Sequence, residues 1–206
     1  MTLPRVLVLY PEEFACRPKF QRKLAAILSR MDAFEVACFA DPRGFINDLL
    51  DDPRCQKILH LSSYDGITHA VIFDDGEVFT TERTALLKQG IPLRNIQVKI
   101  TRVINIKREE QYAGLKSTPE YEYIGRGSDW GNPYSMYEFD PDADEESNSR
   151  EEVIRKYKYD FDRSLLKRTQ SEALALAGKR LGCFCKPGPC HGDVIAEFLN
   201  AWDDGA

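Results

Sequence analysis

The chain has 206 residues, a formal charge of −5 and a hydrophobic fraction of 43%, with aromatics at 11%. That length suits one large domain or two small ones, and the apolar fraction is enough for a packed core. The acidic balance excludes a wholly cationic nucleic-acid coat or a membrane-surface protein, though not a local basic face. No apolar run approaches the length of a membrane span. The N-terminus lacks a signal peptide's layout, since the five-residue apolar stretch from Val6 to Tyr10 runs straight into Pro11-Glu12-Glu13. A cytoplasmic location without membrane partners is expected. Reduced cysteines there read as metal-binding, catalytic or buried rather than as disulfides.

Residues 1–98 alternate between strand and helix patterns. The run 5–10 reads as a buried strand. Residues 19–29 carry Phe20, Leu24, Ile27 and Leu28 at helical spacing. Strands are predicted at 34–39, 68–73 and 91–100. Helices are predicted at 43–50 and 80–89, the latter with Thr80 or Thr81 as N-cap and Gly90 just past its end. Residues 56–62 fit no single pattern. Such alternation with short turns predicts an α/β fold built on a mostly parallel sheet.

Residues 99–206 differ in texture and predict a smaller α/β domain. An apolar alternation covers 101–106, a polar loop follows, and 121–124 reads as a strand. Helices are predicted at 150–159, 164–177 and 193–202, and a strand at 179–185. Val194, Ile195, Phe198, Leu199 and Trp202 share one stripe of the last helix. The acidic stretch 138–149 places Asp140, Asp142, Asp144 and Glu151 like the ligands of an EF-hand. Pro141 lies inside it and Glu145 stands where the glycine is required, so calcium is not expected.

Two segments concentrate the chemistry. In the 125–134 loop, Gly125, Gly127 and Gly131 allow close backbone approach to a ligand. Arg126 offers a bidentate donor for phosphate or carboxylate, with Arg150 a second cation. Ser128 and Asn132 offer hydrogen bonds, and Trp130 and Tyr134 offer rings for stacking. The bland alternative is a structured turn in which Trp130 plugs the core. The second segment is Cys183-Phe184-Cys185-Lys186-Pro187-Gly188-Pro189-Cys190-His191-Gly192-Asp193. Cys183 and Cys185, two apart on a strand, share a face. The Pro-Gly-Pro turn sets Cys190, His191 and Asp193 before a helix N-terminus, which favours thiolates and anions. Cys183, Cys185, Cys190 and His191 are a zinc ligand set, although tighter in spacing than a paired zinc motif. A nucleophilic Cys190 with His191 and Asp193 is one alternative, and buried structural thiols are the other. The basic stretch 150–180 reads first as solvated helix faces and second as a phosphate surface.

Gly125-Arg126…Trp130-Gly131-Asn132-Pro133, Ser149-Arg150-Glu151-Glu152 and Leu181-Gly182-Cys183-Phe184-Cys185…Cys190-His191-Gly192-Asp193 occur in that order. Through them residues 101–202 resemble a phage- and bacteria-associated family known as a domain of unknown function, which implies no activity. Ala70-Val71-Ile72-Phe73-Asp74-Asp75-Gly76, Thr80-Thr81 and Gly90-Ile91-Pro92 resemble the Rossmann-type nucleotide-binding domains of the DNA-processing and "lonely guy" proteins. The glycine-rich phosphate loop of those domains is missing here. The combined expectation is an enzyme of hydrolysis or group transfer on a nucleotide, nucleobase or nucleic acid, with zinc as candidate cofactor. The alternative is a non-catalytic, cysteine- or zinc-stabilised module that contacts nucleic acid or a host protein.

Overall fold

The computed structural model describes residues 3–136 and 149–205. Asp140, Asp142, Asp144 and the rest of 137–148 lie outside them. The chain divides into two compact units, Met1–Lys99 with Ala201–Ala206, and Ile100–Asn200.

The first unit contains β1 (Arg5–Leu9), α1 (Arg17–Leu28), β2 (Phe34–Cys38), β3 (Cys55–His60), β4 (His69–Asp74), α2 (Thr80–Lys88) and β5 (Leu93–Gln97). The five strands form a sheet in the order β3-β2-β1-β4-β5, and every neighbouring pair is parallel. This is the Rossmann-like arrangement, with its topological switch between β1 and β4. Strands covered on both faces are continuously apolar, as 6–9 and 70–73 are. Helix α1 buries Phe20, Leu24 and Leu28, one stripe at four-residue spacing. Leu7, Leu9, Ala37, Ala70, Ile72 and Leu86 form a core cluster on the sheet.

Two expectations change here. The segment 43–50 forms only a 3-10 turn, Asn47–Asp51. The Asp41 carboxylate takes the N–H groups of Ile46 and Asn47 at 3.2 and 3.0 Å, and Pro53 blocks extension. Helix α2 starts without a side-chain cap, Phe79 holding that position. Gly90 closes it in the left-handed conformation, φ +69°.

The second unit contains β6 (Arg102–Asn105), β7 (Tyr121–Tyr123), α3 (Arg150–Asp162), α4 (Gln170–Ala173), β8 (Arg180–Cys183) and α5 (His191–Ala201). Its parallel sheet has the order β6-β8-β7, so the last strand inserts between the first two. Ile124, Tyr157, Phe161, Leu181, Ile195 and Leu199 belong to its core. The expected helix at 164–177 is interrupted. Ser164 takes a left-handed conformation, φ 54°. The chain then restarts at a Thr169–Glu172 capping box for the four-residue α4, followed by a 3-10 turn at Leu174–Leu176. Trp202 falls beyond α5 and is 49% exposed, so it leaves the apolar stripe.

Candidate functional site

The site occupies the carboxyl edge of the second sheet, where parallel α/β units place their ligands. Strand β7 runs into the 125–134 loop and β8 runs into the cysteine segment. Beyond β8, the Sγ atoms of Cys183 and Cys185 lie 3.5 Å apart. The Pro187-Gly188-Pro189 turn then brings Cys190 back, held by an Arg150 Nη1 donation to the Pro189 carbonyl at 3.1 Å. The three sulfurs lie within 4.8 Å of one another.

Cys190 also caps α5. Its Sγ accepts the Gly192 N–H at 3.4 Å, and Asp193 Oδ2 accepts the Cys190 N–H at 2.9 Å. The Asp193 carboxylate supplies the return half of a capping box, and the thiol takes the N2 N–H in the place of a hydroxyl. Lys186 Nζ pairs with the other Asp193 oxygen at 2.7 Å, so Asp193 fixes the turn and does not line the pocket. A Cβ on Gly192 would stand 2.4 Å from Ile124 Cδ1 and 3.1 Å from Val103 Cγ2. Glycine there lets the first turn of α5 rest directly on the sheet.

His191 meets the sulfur group at Cys190. Its Nε2–H donates to the Ile124 carbonyl at 2.9 Å, while Nδ1 stands 3.7 Å from Cys190 Sγ. Burial pushes its pKa down, so the ring is neutral near pH 7 and Nδ1 is the unprotonated nitrogen. The thiols titrate together. Hydrogen bonding from Cys190 pulls Cys183 down to about 5, while the same contact and burial push Cys190 far up. Burial raises Cys185.

The glycine loop is built from contacts that only glycine allows. A Cβ on Gly131 would lie 2.7 Å from the Gly125 carbonyl oxygen and 2.8 Å from Arg126 Cα. Ser128 Oγ donates to the Gly125 carbonyl and accepts the Trp130 N–H, at 2.9 and 3.2 Å. Trp130 is 9% exposed and packs in the core. It packs into the core of the unit, as the bland alternative expects. Asn132 ties the loop to α3, its Nδ2 donating to the Val153 carbonyl at 3.0 Å and its Oδ1 accepting the Tyr134 N–H at 2.9 Å. Tyr134 O–H donates to Asp160.

Between loop and cysteines lies a pocket of about 290 Å³. Gly125, Arg126, Asn132, Tyr134 and Arg150 line it on one side, and Cys183, Cys185, Cys190 and His191 on the other. Ser128 and Trp130 line a separate cavity instead, on the side of Lys167 and Arg168. Arg126 is exposed and has no hydrogen-bond or ion-pair partner among the described residues. Phe184, which sequence reasoning missed, is 51% exposed and lines the same pocket. The edge of Tyr123 packs on it with ring centroids 6.4 Å apart.

The basic stretch after residue 150 is largely neutralised by the ion pairs Arg155–Glu152, Lys158–Asp162, Arg168–Glu172 and Lys179–Glu122. In the first unit, the switch-point edge carries carboxylates. Asp74, buried at the end of β4, accepts from Gly76 N–H, Arg83 and Asn95 at 2.8, 3.0 and 2.9 Å. The loop after β1, Tyr10 to Cys16, holds no glycine. No helix among the described residues is long and apolar enough to cross a membrane.

Residues 3–104 match the model of the minimal SLOG domain, in agreement with the Rossmann-like parallel sheet. A relative in Enterobacteria phage T4, described as an uncharacterized 12.4 kDa protein in the nrdA-td intergenic region, is 40% identical over 79 residues. The match covers 37% of this chain and 65% of the relative. No solved structure matches. Residues 104–201, which carry the pocket, match the model of a domain of unknown function, DUF4326.

Proposed function

We propose that the second unit binds a nucleotide-class ligand, free or at a nucleic-acid end, and catalyses hydrolysis or group transfer on it beside the cysteine cluster. The observation that carries this reading is the shared pocket: two guanidiniums, an exposed aromatic ring and three converging sulfurs face one cavity. Arg126 and Arg150 suit a phosphate. Phe184 suits a base. Val153 and Ile154 supply an apolar wall. The similarity of residues 3–104 to the minimal SLOG domain supports a nucleotide-related setting. The chemistry is assigned to residues 99–206, with residues 1–98 as the supporting domain, in the reducing cytoplasm where the thiols stay free.

A second reading is a non-catalytic module, stapled by its cysteines, that contacts nucleic acid or a host protein. The capping role of Cys190 favours it, because the thiol there already has a structural task. Calorimetric titration with AMP, adenosine and inorganic phosphate separates the two, together with assays for released base and phosphate. The enzyme reading expects AMP to bind more tightly than adenosine, Arg126→Gln to weaken AMP at least tenfold without altering the fold, and Cys190→Ser to remove turnover. Absence of nucleotide binding, or an Arg126→Gln protein that binds as the parent does, overturns it.

A further inference from the structure

We propose that Cys183, Cys185 and Cys190 are the complete protein ligand set of a mononuclear soft-metal centre, with zinc the fitting ion, and that its fourth position opens into the arginine pocket. Zinc–sulfur bonds of about 2.3 Å in a tetrahedron put sulfurs roughly 3.8 Å apart. The three sulfurs, 3.5 Å apart for one pair and all within 4.8 Å, lie close to that spacing. Soft thiolates select zinc and its neighbours over calcium or magnesium.

The surroundings fit a bound thiolate set. The Gly192 N–H points at Cys190 Sγ, the kind of outer contact that orients a metal ligand. Three thiolates on a divalent ion carry one net negative charge. Arg126 and Arg150 line the same cavity, and the N-terminus of α5 adds a positive dipole end. The imidazole of His191 is held through Nε2 by the Ile124 carbonyl; its Nδ1 stands 3.7 Å from Cys190 Sγ, but the ring does not join the group in which all ligand atoms lie within 4.8 Å of one another. Structural zinc sites close with four protein ligands, whereas reactive ones keep a position open. Here three protein donors converge among the described residues, and the cavity meets all three. The open position would take water or a ligand oxygen held by the guanidiniums. That last assignment rests on the nucleotide-pocket reading, while the metal itself does not.

The test uses the full reduced chain, freed of metal by a chelator and titrated with zinc or cobalt alone. One equivalent binds, and the cobalt form shows thiolate charge-transfer absorption with tetrahedral d–d bands. Cys185→Ser, at the half-exposed ligand, weakens binding at least tenfold. His191→Gln, which can still donate to Ile124, keeps both stoichiometry and spectrum. AMP shifts the d–d bands as it enters the fourth position. Failure of the reduced chain to bind one equivalent overturns the centre, as does loss of binding in His191→Gln. Unmoved bands in AMP-saturated cobalt protein overturn the open position. Equal AMP affinity with and without zinc leaves the nucleotide reading standing and removes the metal from it. Stoichiometric metal without any AMP binding does the reverse.

Discussion

The His191 imidazole donates its Nε2–H to the Ile124 carbonyl oxygen across 2.9 Å, joining the first turn of α5 to the end of β7. Both groups are buried, so neither has water as a substitute. Replacing His191 by Ala leaves that carbonyl unpaired and opens a void beside Tyr157, whose ring centroid is 5.0 Å away. An unsatisfied buried acceptor costs about 1–3 kcal/mol. Urea denaturation followed by circular dichroism should show His191→Ala destabilised by at least that much, with His191→Gln retaining part of the difference.

The loop glycines lead to a prediction about position rather than stability. A methyl on Gly131 meets backbone at 2.7 and 2.8 Å, on Gly125 and Arg126. Backbone cannot rotate aside as a side chain can, so the segment that carries Arg126 must move. Overpacking of this kind costs about 1–3 kcal/mol. Gly131→Ala should therefore weaken AMP at least tenfold while the circular dichroism spectrum stays that of the parent. Gly127→Ala is the control, since a Cβ there meets nothing within 4 Å. Calorimetry on the two variants checks the contrast.

Much of the architecture is legible in the chain, for local reasons. Buried parallel strand segments such as 6–9 are apolar throughout, and the α5 stripe of Val194, Ile195 and Leu199 repeats at helical spacing. The strand expected over 179–185 ends at Cys183, so the 3.5 Å approach of Cys183 and Cys185 comes from the bend after it and not from strand alternation. What stays hidden depends on partners distant in sequence. Trp130 becomes core because Tyr157, 27 residues later, donates to its carbonyl. The orientation of His191 is set because the Ile124 carbonyl, 67 residues earlier, accepts its Nε2–H. Asp193 has the residue type of a catalytic acid, yet the Cys190 N–H and Lys186 occupy its oxygens.

The second unit is also closed by a reciprocal pair. Asn200 Oδ1 accepts the Thr101 N–H at 2.8 Å, and Asn200 Nδ2 donates to the Thr101 carbonyl at 3.0 Å. Both residues are buried. Asn200→Ala strands a donor and an acceptor together and should cost at least about 2 kcal/mol. Asn200→Asp keeps the acceptor and loses the donor, so it should fall between. Thermal denaturation of the three proteins gives the order.

The ion pair of Arg22 with Asp203 supplies a pH test within the first unit. The guanidinium binds the carboxylate at 2.8 and 3.0 Å, and the Gly205 N–H adds a bond at 3.0 Å. Arg22 first, then that N–H, holds the Asp203 pKa down at about 2. A depressed carboxylate favours the folded state above the ordinary carboxylate range, and the contribution is lost as pH falls through about 2. Carboxyl carbon shifts followed by NMR should place the Asp203 midpoint below that of a free aspartate. Arg22→Gln should move it upward.

Phe184 distinguishes a nucleotide pocket from a general anion pocket. The ring stands half exposed at the cavity, braced by Tyr123 and with Lys107 Nζ 5.7 Å from its centroid. Base stacking on an aromatic side chain contributes about 1–3 kcal/mol, roughly five- to 150-fold in affinity. Phe184→Ala should weaken AMP by a factor in that range and leave ribose 5-phosphate, which has the same phosphate and no base, unchanged. Because Phe184 faces away from the core, the substitution should leave the melting temperature close to that of the parent. Equal losses for both ligands would mean that the ring shapes the pocket without touching a base, and Arg126 and Arg150 would then account for recognition by phosphate alone.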